Sequence, residues 1–356
     1  MGEYLLMKIA LICPSNILYM PYVKNYENVL VEQNIDYDII NWDRFHIEEI
    51  SDTTYRDKKK GHQRNFLDYL KYKKFLMNRL NSIHYDKVIV FGIQLSYFLK
   101  KTMKNNFNEK YIIDIRDHNK ILKFFNFKKL VESSAFTVLS SPGYKEWLPK
   151  SNKYVINHNT QIPRIDDLKE IGTFNREVIC ISNIGAINEF HINIDFINSL
   201  KNNPKFKLNY HGEGNINDDL ISYLKTNRIS NVFVTGRYIK EDEEILYESS
   251  DLINVLRTSD GINNKTALPN RIYNAVFYGK PLLACVGSHL GDVIANNNIG
   301  IVLDSFNEVE NSIFQYMKKF DDITYNKGRE LFMEKVIQEN KHFENKLLTF
   351  LQKCNS

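Results

Sequence analysis

Short apolar runs of strand length alternate along this chain with stretches whose apolar residues recur at helical spacing. The first six runs cover 8–13, 37–41, 87–91, 111–115, 135–139 and 154–156. Near-continuous apolar strands separated by helical patterns predict a parallel sheet with crossover helices. After Pro163 and the polar stretch 164–176 the rhythm restarts at 177–181, 207–211, 231–235, 252–256, 281–286 and 300–303. A second sheet of the same kind is therefore expected. The tail 327–354 is helical in pattern, with Leu331, Val336, Phe343, Leu347 and Leu351 as its apolar positions and no sustained heptad.

Length agrees with this division, because 356 residues exceed the size at which one core stops growing, about 250–300 residues. The expected organisation is a doubly wound domain over 1–160, a second over 161–326 joined by a linker at about 160–175, and a terminal helix over 327–356 that packs back on the domains. No apolar run approaches the roughly 20 residues of a membrane span. The start of the chain, with Glu3 and Lys8, makes a poor secretory signal. Four dispersed cysteines without C-x-x-C argue against a zinc site and a disulfide framework and suit a reducing cytoplasm.

The net charge of +4 conceals an asymmetry. Up to residue 160 the chain carries about 25 basic and about 17 acidic residues, and beyond it about 22 and about 26. Much of the excess lies in 56–79, where Lys58, Lys59, Lys60, Arg64, Lys71, Lys73 and Lys74 interleave with Phe66, Tyr69, Tyr72 and Phe75. Such a mixture on one helix suits peripheral docking on the inner face of an anionic membrane, at about 1 kcal/mol per basic residue near the headgroups; the alternative is a solvated helix face.

In open parallel sheets ligands bind beyond the carboxyl ends of the strands. The segment 265–281, K-T-A-L-P-N-R-I-Y-N-A-V-F-Y-G-K-P, places Pro269 at the first position of a helix of about ten residues and Gly279 at its C-terminal cap. The free N–H groups and dipole of that helix suit a diphosphate. Lys265 and Arg271 add charge-assisted bonds, and Asn270 and Asn274, four apart, share a face that reaches hydroxyl groups.

Residues 269–281 resemble the P-N-K-L-Y-E-x-x-A-x-G-K-P signature of retaining glycosyltransferases of the GT-B fold, the bacterial group 1 (family 4-like) enzymes of capsule, lipopolysaccharide and teichoic-acid synthesis. Residues 112–117 (I-I-D-I-R-D) and 155–159 (V-I-N-H-N) resemble that group's first-domain motifs. Residues 210–214 (Y-H-G-E-G) and 231–251 (N-V-F-V-T-G-R-Y to Y-E-S-S-D) resemble its second-domain motifs, and the order matches over most of the chain. The resemblance implies two Rossmann-like domains facing each other across a cleft. It also implies metal-independent transfer of a sugar from a nucleotide diphosphate donor, held by the second domain, to a saccharide acceptor, lipid-linked in this reading, held by the first. The nucleotide-sugar is then a substrate, and neither a cofactor nor a nucleic-acid partner is expected.

Carried over by position, the resemblance puts Gly185 beside the diphosphate, Arg237 and Tyr238 at the base, and Asn274 at the ribose. Arg116 and Asp117 fall near the reacting carbon. Ser15, Asn16 and His118 fall on the acceptor side. The chain departs from the pattern in having Asn274 for the usual glutamate, Thr266 for the other acid of that pair, and Ala186 for an expected arginine, with only His191 near the usual lysine position. An amide holds hydroxyls more weakly than a carboxylate. The cations for the diphosphate are then expected to be Lys265, Arg271 and Arg257, with Arg271 acting on the leaving group.

Several competing chemistries lack their signatures. The turn Cys13-Pro14-Ser15-Asn16 has no glycines for a dinucleotide pyrophosphate, and P-loop, G-x-S-x-G and H-E-x-x-H motifs are absent. Asp114 reads as a buried structural acid rather than a metal ligand, and His158 and His211 as hydrogen-bonded residues. Two other functions share the expected fold: a nucleotide-sugar 2-epimerase, and a non-catalytic assembly or membrane-docking protein.

Overall fold

Every strand pairing among residues 7–160, 164–172 and 177–352, the part described by a computed structural model, is parallel. Most of the expected N-terminal extension, the linker segments 161–163 and 173–176, and Cys354 lie outside those residues. The first sheet contains β1 (Lys8–Cys13), β2 (Asp36–Trp42), β3 (Thr54–Tyr55), β4 (Lys87–Phe91), β5 (Tyr111–Ile115), β6 (Phe136–Leu139) and β7 (Tyr154–Ile156) in the order β3-β2-β1-β4-β5-β6-β7. The second contains β8 (Ile179–Ile184), β9 (Phe206–His211), β10 (Val232–Gly236), β11 (Leu252–Asn254), β12 (Leu282–Cys285) and β13 (Gly300–Leu303) in the order β10-β9-β8-β11-β12-β13. Both orders run outward from their first long strand and then reverse, the mark of doubly wound α/β folding.

The chain divides into a unit of residues 1–159 with 339–356 and a unit of residues 160–338. In unit 1, Ile9, Leu11, Ile89 and Ile112 of the sheet pack with Tyr26 and Leu30, and with Phe343, Leu347 and Phe350 from the chain's end. In unit 2 both faces of the sheet are covered: Ile181, Leu208 and Leu283 pack against Phe196, Leu220 and Ile313, while Ile184, Ile253 and Leu282 pack against Ile272, Val276 and Met333. Burial on both faces explains why these strands read as apolar runs rather than as alternating ones.

The long helix Asp322–Gln352 starts earlier than the tail pattern suggests, and its residues up to 338 belong to unit 2. Of its expected apolar positions, Val336, Phe343, Leu347 and Leu351 are buried, whereas Leu331 is exposed. Strand β8 extends past the expected end at 181, because Ser182 and Asn183 interrupt the apolar run without interrupting the ladder. Asn183 pairs in register with Tyr210, and the Ser182 hydroxyl accepts from Ser250 at 2.6 Å. The stretch 56–79 is not one helix. Only Phe66–Ser82 is helical, started by a capping box in which Asn65 and Asp68 satisfy each other's backbone N–H groups. No helix among the described residues is long and apolar enough to cross a membrane.

Candidate active site

The reversal of strand order falls between β8 and β11 in unit 2 and between β1 and β4 in unit 1. Outside the carboxyl ends of such strands, backbone groups of two diverging connections are left to face a ligand. In unit 2 the chain leaves β8 through Gly185, whose φ is +111°. A Cβ at Gly185 would meet nothing within 4 Å, so space is open beside this turn. The adjoining turn packs hard against it from the other side. A Cβ on Gly212 would stand 2.0 Å from the Gly185 carbonyl oxygen, and one on Gly214 would stand 1.7 Å from that of Ile187. Glycine is required at both positions for backbone to lie on backbone.

The helix Asn270–Phe277 enters this region. Pro269 precedes it as the N-cap residue rather than occupying its first turn, because its backbone is extended (φ −75°, ψ 154°). Proline offers no side-chain acceptor, and the helix start carries no side-chain cap. Ile272, Tyr273, Ala275 and Val276 bury one face, and Gly279, with φ +65°, ends the helix as expected of a C-terminal glycine. The first turn therefore presents Arg271 and uncapped N–H groups at the same edge of the sheet.

Arg271 is the hub of the site. Its Nη1 donates to the Asn254 carbonyl at 3.1 Å and its Nη2 to the Ala186 carbonyl at 3.0 Å, tying the end of β11 to the turn after β8. Burial draws its guanidinium down from the ordinary value, Tyr247 opposes that, and the neighbouring Arg257 reinforces it. An arginine stays charged under such pressure. Tyr238 feels Arg271, and Tyr247 feels Arg271, Tyr238 and Asn274 together, which places the four in one neighbourhood. Arg257 is half-buried, with Nη1 at 3.4 Å from the Ala267 carbonyl. Lys265, in the last turn of the short helix Ile262–Thr266, is exposed, as are Asn270 and Arg237.

Two carboxylates at this edge gave no sign in the sequence. Asn274 Nδ2 donates to Glu243 Oε1 at 3.0 Å, and the buried Glu243 is also bonded by Lys240. Only the fold brings together residues 31 positions apart. Glu189, in the left-handed region at φ +64°, accepts the Thr258 N–H at 2.7 Å and is bonded by Asn264. It thereby pins the segment that follows Arg257. Beneath the Gly185 turn lies a polar row, Tyr210, Asn183 and Asn254, at the ends of β9, β8 and β11. The Tyr210 hydroxyl and Asn183 Oδ1 are buried with no hydrogen-bond partner among the described residues, a cost that structure alone does not recommend. The signal for this row was available: polar residues closing apolar runs. His211 beside it bonds Thr235 Oγ1 through Nδ1 at 2.9 Å.

Unit 1 reassigns two expected site residues. Arg116 does not stand ready for a substrate. Its Nε and Nη2 donate to Asp114 at 2.6 and 2.7 Å and its Nη1 to the Asn157 carbonyl at 3.0 Å, while the guanidinium lies 4.5 Å from the Tyr22 ring centre. Asp114 is fully buried and also accepts the Tyr26 hydroxyl at 2.6 Å, as fits a structural acid. Asn16 is likewise internal: Nδ2 donates to Asp43 at 2.6 Å, and Oδ1 accepts the N–H groups of Arg44 and Phe45 at 2.9 and 3.1 Å. A fully buried side chain held at both its nitrogen and its oxygen in this way fixes a loop. Ser15, next to it, is half-buried at the carboxyl end of β1. His118 rests edge-on against Trp147 with centres 5.1 Å apart, and burial with Lys123 and Lys120 lowers its pKa. His158 bonds Glu339 at 2.6 Å.

Asp117 follows β5 and is exposed, yet desolvation raises its carboxyl to about 6, against the pull of Arg116. A carboxyl raised above its unfolded value of 3.8 favours the folded state below that value, and the advantage is lost as pH rises through about 6. At neutral pH the ionised group strains the fold. A shift of this size corresponds to roughly 3 kcal/mol, which screening by water at an exposed group reduces to about 1 kcal/mol. Asp117→Asn is thus expected to melt about 2–4 °C higher than the parent at pH 7.5 and equally at pH 4. Calorimetry at the two pH values checks this, and equal melting at both would remove the strain. Among the described residues no group of three or more His, Cys, Asp or Glu stands where it could hold a metal ion.

Two doubly wound units, one after the other, are those of the GT-B class of fold, and solved structures of that fold match nearly all of this chain. Sucrose-phosphate synthase from Thermosynechococcus elongatus matches with a TM-score of 0.68 at 12% identity, over 96% of this chain and 99% of that one. The lipopolysaccharide outer core galactosyltransferase WaaB matches at 0.66 and 13%, over 96% and 99%. HepE of Anabaena, solved with UDP and glucose, matches at 0.63 and 11%, over 96% and 100%. Comparison by sequence brings no matching family model and no matching curated protein.

Proposed function

We propose that this chain is a glycosyltransferase that binds a nucleoside diphosphate sugar at the carboxyl edge of the unit 2 sheet and transfers the sugar to an acceptor held by unit 1. The observation that carries the reading is the convergence at one strand-order reversal of Gly185, with open space at its turn, the uncapped start of Asn270–Phe277, and the charge of Arg271. Departure of a nucleoside diphosphate builds negative charge on phosphate oxygens while the sugar becomes oxocarbenium-like. A helix start and fixed cations meet that charge without reorganising. Arg271 and Arg257 face the diphosphate, with Lys265 reaching in from its exposed helix. Tyr238 and Arg237 hold the base, and Asn274, steadied by Glu243, holds the ribose. Likeness to proteins solved with UDP and with UDP-glucose supports a nucleotide donor. Needing no metal and retaining the anomeric configuration, the reaction delivers its sugar to a lipid-linked saccharide of the cell-surface polysaccharides, at the cytoplasmic face of the membrane.

A panel of UDP-, GDP-, dTDP- and ADP-sugars, incubated with the protein in EDTA and followed by mass spectrometry, tests this. Slow release of free sugar and nucleoside diphosphate from one class of donor is expected. Binding and turnover of none would refute the assignment, and conversion of a donor to its epimer without release would replace transfer with epimerisation.

A further inference from the structure

Unit 1 carries a cavity whose lining includes none of the residues assigned above to donor or acceptor. It has a volume of about 370 Å³ and is lined by Phe66, Tyr69, Tyr97, Phe98, Ile121 and Phe124, with Gln94 and Asn119 as polar groups. Its walls come from three connections: the start of helix Phe66–Ser82 after β3, the start of helix Ile93–Asn106 after β4, and the segment 119–124 after β5. The cavity thus lies at the carboxyl edge of the sheet, where ligands of parallel sheets bind. Its aromatic wall is tightly organised. Tyr69 stacks on Phe98 at 5.2 Å, Phe66 meets Phe98 at 5.0 Å, and Lys100 lies 3.7 Å from the Tyr97 ring centre. Arg44 Nη2 donates to the Tyr69 hydroxyl at 2.8 Å, and that hydroxyl donates to Gln94 Oε1 at 2.7 Å. Gln94 and Asn119 are amide groups in this largely aromatic wall.

The mouth of this chamber is apolar where a soluble surface is ordinarily polar. Of its lining residues Phe66 is 53% exposed and Phe124 73%, and on the same helix as Phe66 the non-lining Leu67 and Leu70 are exposed as well. Clustered exposure of large apolar side chains marks an interaction site. A second, basic hollow adjoins the first and shares Arg64 and Asn65 with it; its other lining residues are Lys59, Lys60 and Gln63. Arg64 is occupied with Asp57 and Lys59 with Asp68, so the nearby acids are neutralised within the loop. Lys60, which is exposed and lines the basic hollow, has no acidic partner among the described residues.

An aromatic chamber opening beside an unpaired cation matches a ligand with one apolar and one anionic end. We propose that this pair of hollows binds one lipid phosphate, with a prenyl or acyl chain in the aromatic cavity and its phosphate on Lys60. This deepens the acceptor reading and rests on it only for the identity of the lipid as acceptor carrier; the binding itself does not require transfer activity. Burial of the hydrocarbon chain in such a chamber outweighs the contact with phosphate, so affinity depends more on the chain than on the phosphate.

The test is calorimetric titration of the full chain with geranyl phosphate and with inorganic phosphate, UDP being titrated separately as the measure of unit 2. Geranyl phosphate is expected to bind at least tenfold tighter than phosphate. Ile121→Trp, which fills the cavity, and Phe124→Ala, which opens its exposed mouth, should each weaken geranyl phosphate at least fivefold and leave UDP affinity and melting temperature unchanged. Lys60→Ala should narrow the preference for geranyl phosphate over geraniol, titrated alongside, at least threefold. Equal affinity for geranyl phosphate and phosphate, or full affinity in Ile121→Trp, would overturn the proposal. Loss of UDP binding by the parent chain with the geranyl preference intact would defeat the transferase reading and spare this one.

Discussion

Arg271→Ala is expected to reduce sugar transfer at least a hundredfold and to weaken nucleoside diphosphate binding about tenfold. The guanidinium bridges the Asn254 and Ala186 carbonyls at 3.1 and 3.0 Å, so its position is set by the ends of two strands rather than by its own flexible chain. A donor fixed in advance where charge develops contributes about 3–4 kcal/mol to the transition state. Its loss in alanine therefore falls more heavily on turnover than on ground-state affinity. Arg271→Lys keeps a charge but cannot bridge both carbonyls, so it should recover only part of the loss. Lys265→Ala, which removes an exposed cation with no fixed partner bridging two strands, should cost no more than severalfold. Steady-state rates with a donor titration for the three variants provide the measurement; unchanged rate and affinity in Arg271→Ala would contradict the assigned role.

The largest stability effect is expected in unit 1. Arg116→Met should destabilise it by about 3–5 kcal/mol, because removal of one partner leaves the fully buried Asp114 carboxylate uncompensated. The same substitution releases the Asn157 carbonyl and the contact with Tyr22. Replacing both members, Asp114→Asn with Arg116→Met, should recover a substantial part, since no buried charge then remains. Denaturant unfolding of the two variants separates this from a catalytic role. A catalytic arginine would leave stability near the parent and lose only rate, and that result would restore Arg116 to the site.

These two arginines show where the sequence was informative and where it was not. The two sheets were legible because strands covered on both faces must be apolar from end to end, and that leaves a pattern no loop imitates. The elements of the proposed donor site in unit 2 were legible as far as they are local. Pro269, Arg271 and Gly279 belong to one helix and its caps, and Gly185 to one turn. Nothing local announced Glu243, because its partnership with Asn274 is made by two helices that the fold sets side by side. Arg116 and Asn16 show how two uses of one position compete. Both stand just after strands, where ligands bind, but such positions also hold side chains that tie loops to the sheet, and what sets these two apart from Arg271 is a fully buried carboxylate partner, Asp114 for Arg116 and Asp43 for Asn16. The basic and aromatic stretch 56–79 was visible as composition. Its division into a loop neutralised by Asp57 and Asp68 and a helix with Leu67 and Leu70 outward was not.

Hydrogen exchange of the intact chain with and without UDP tests the central claim most directly, since it reports where a nucleoside diphosphate lands without requiring an acceptor. Slower exchange is expected in 184–187, 211–214 and 236–238 and in the first turn of Asn270–Phe277, with unit 1 unchanged in the turn after β1. Protection elsewhere, or none at saturating UDP and at saturating GDP, ADP and dTDP, would contradict the assignment of this edge of unit 2 as the donor site.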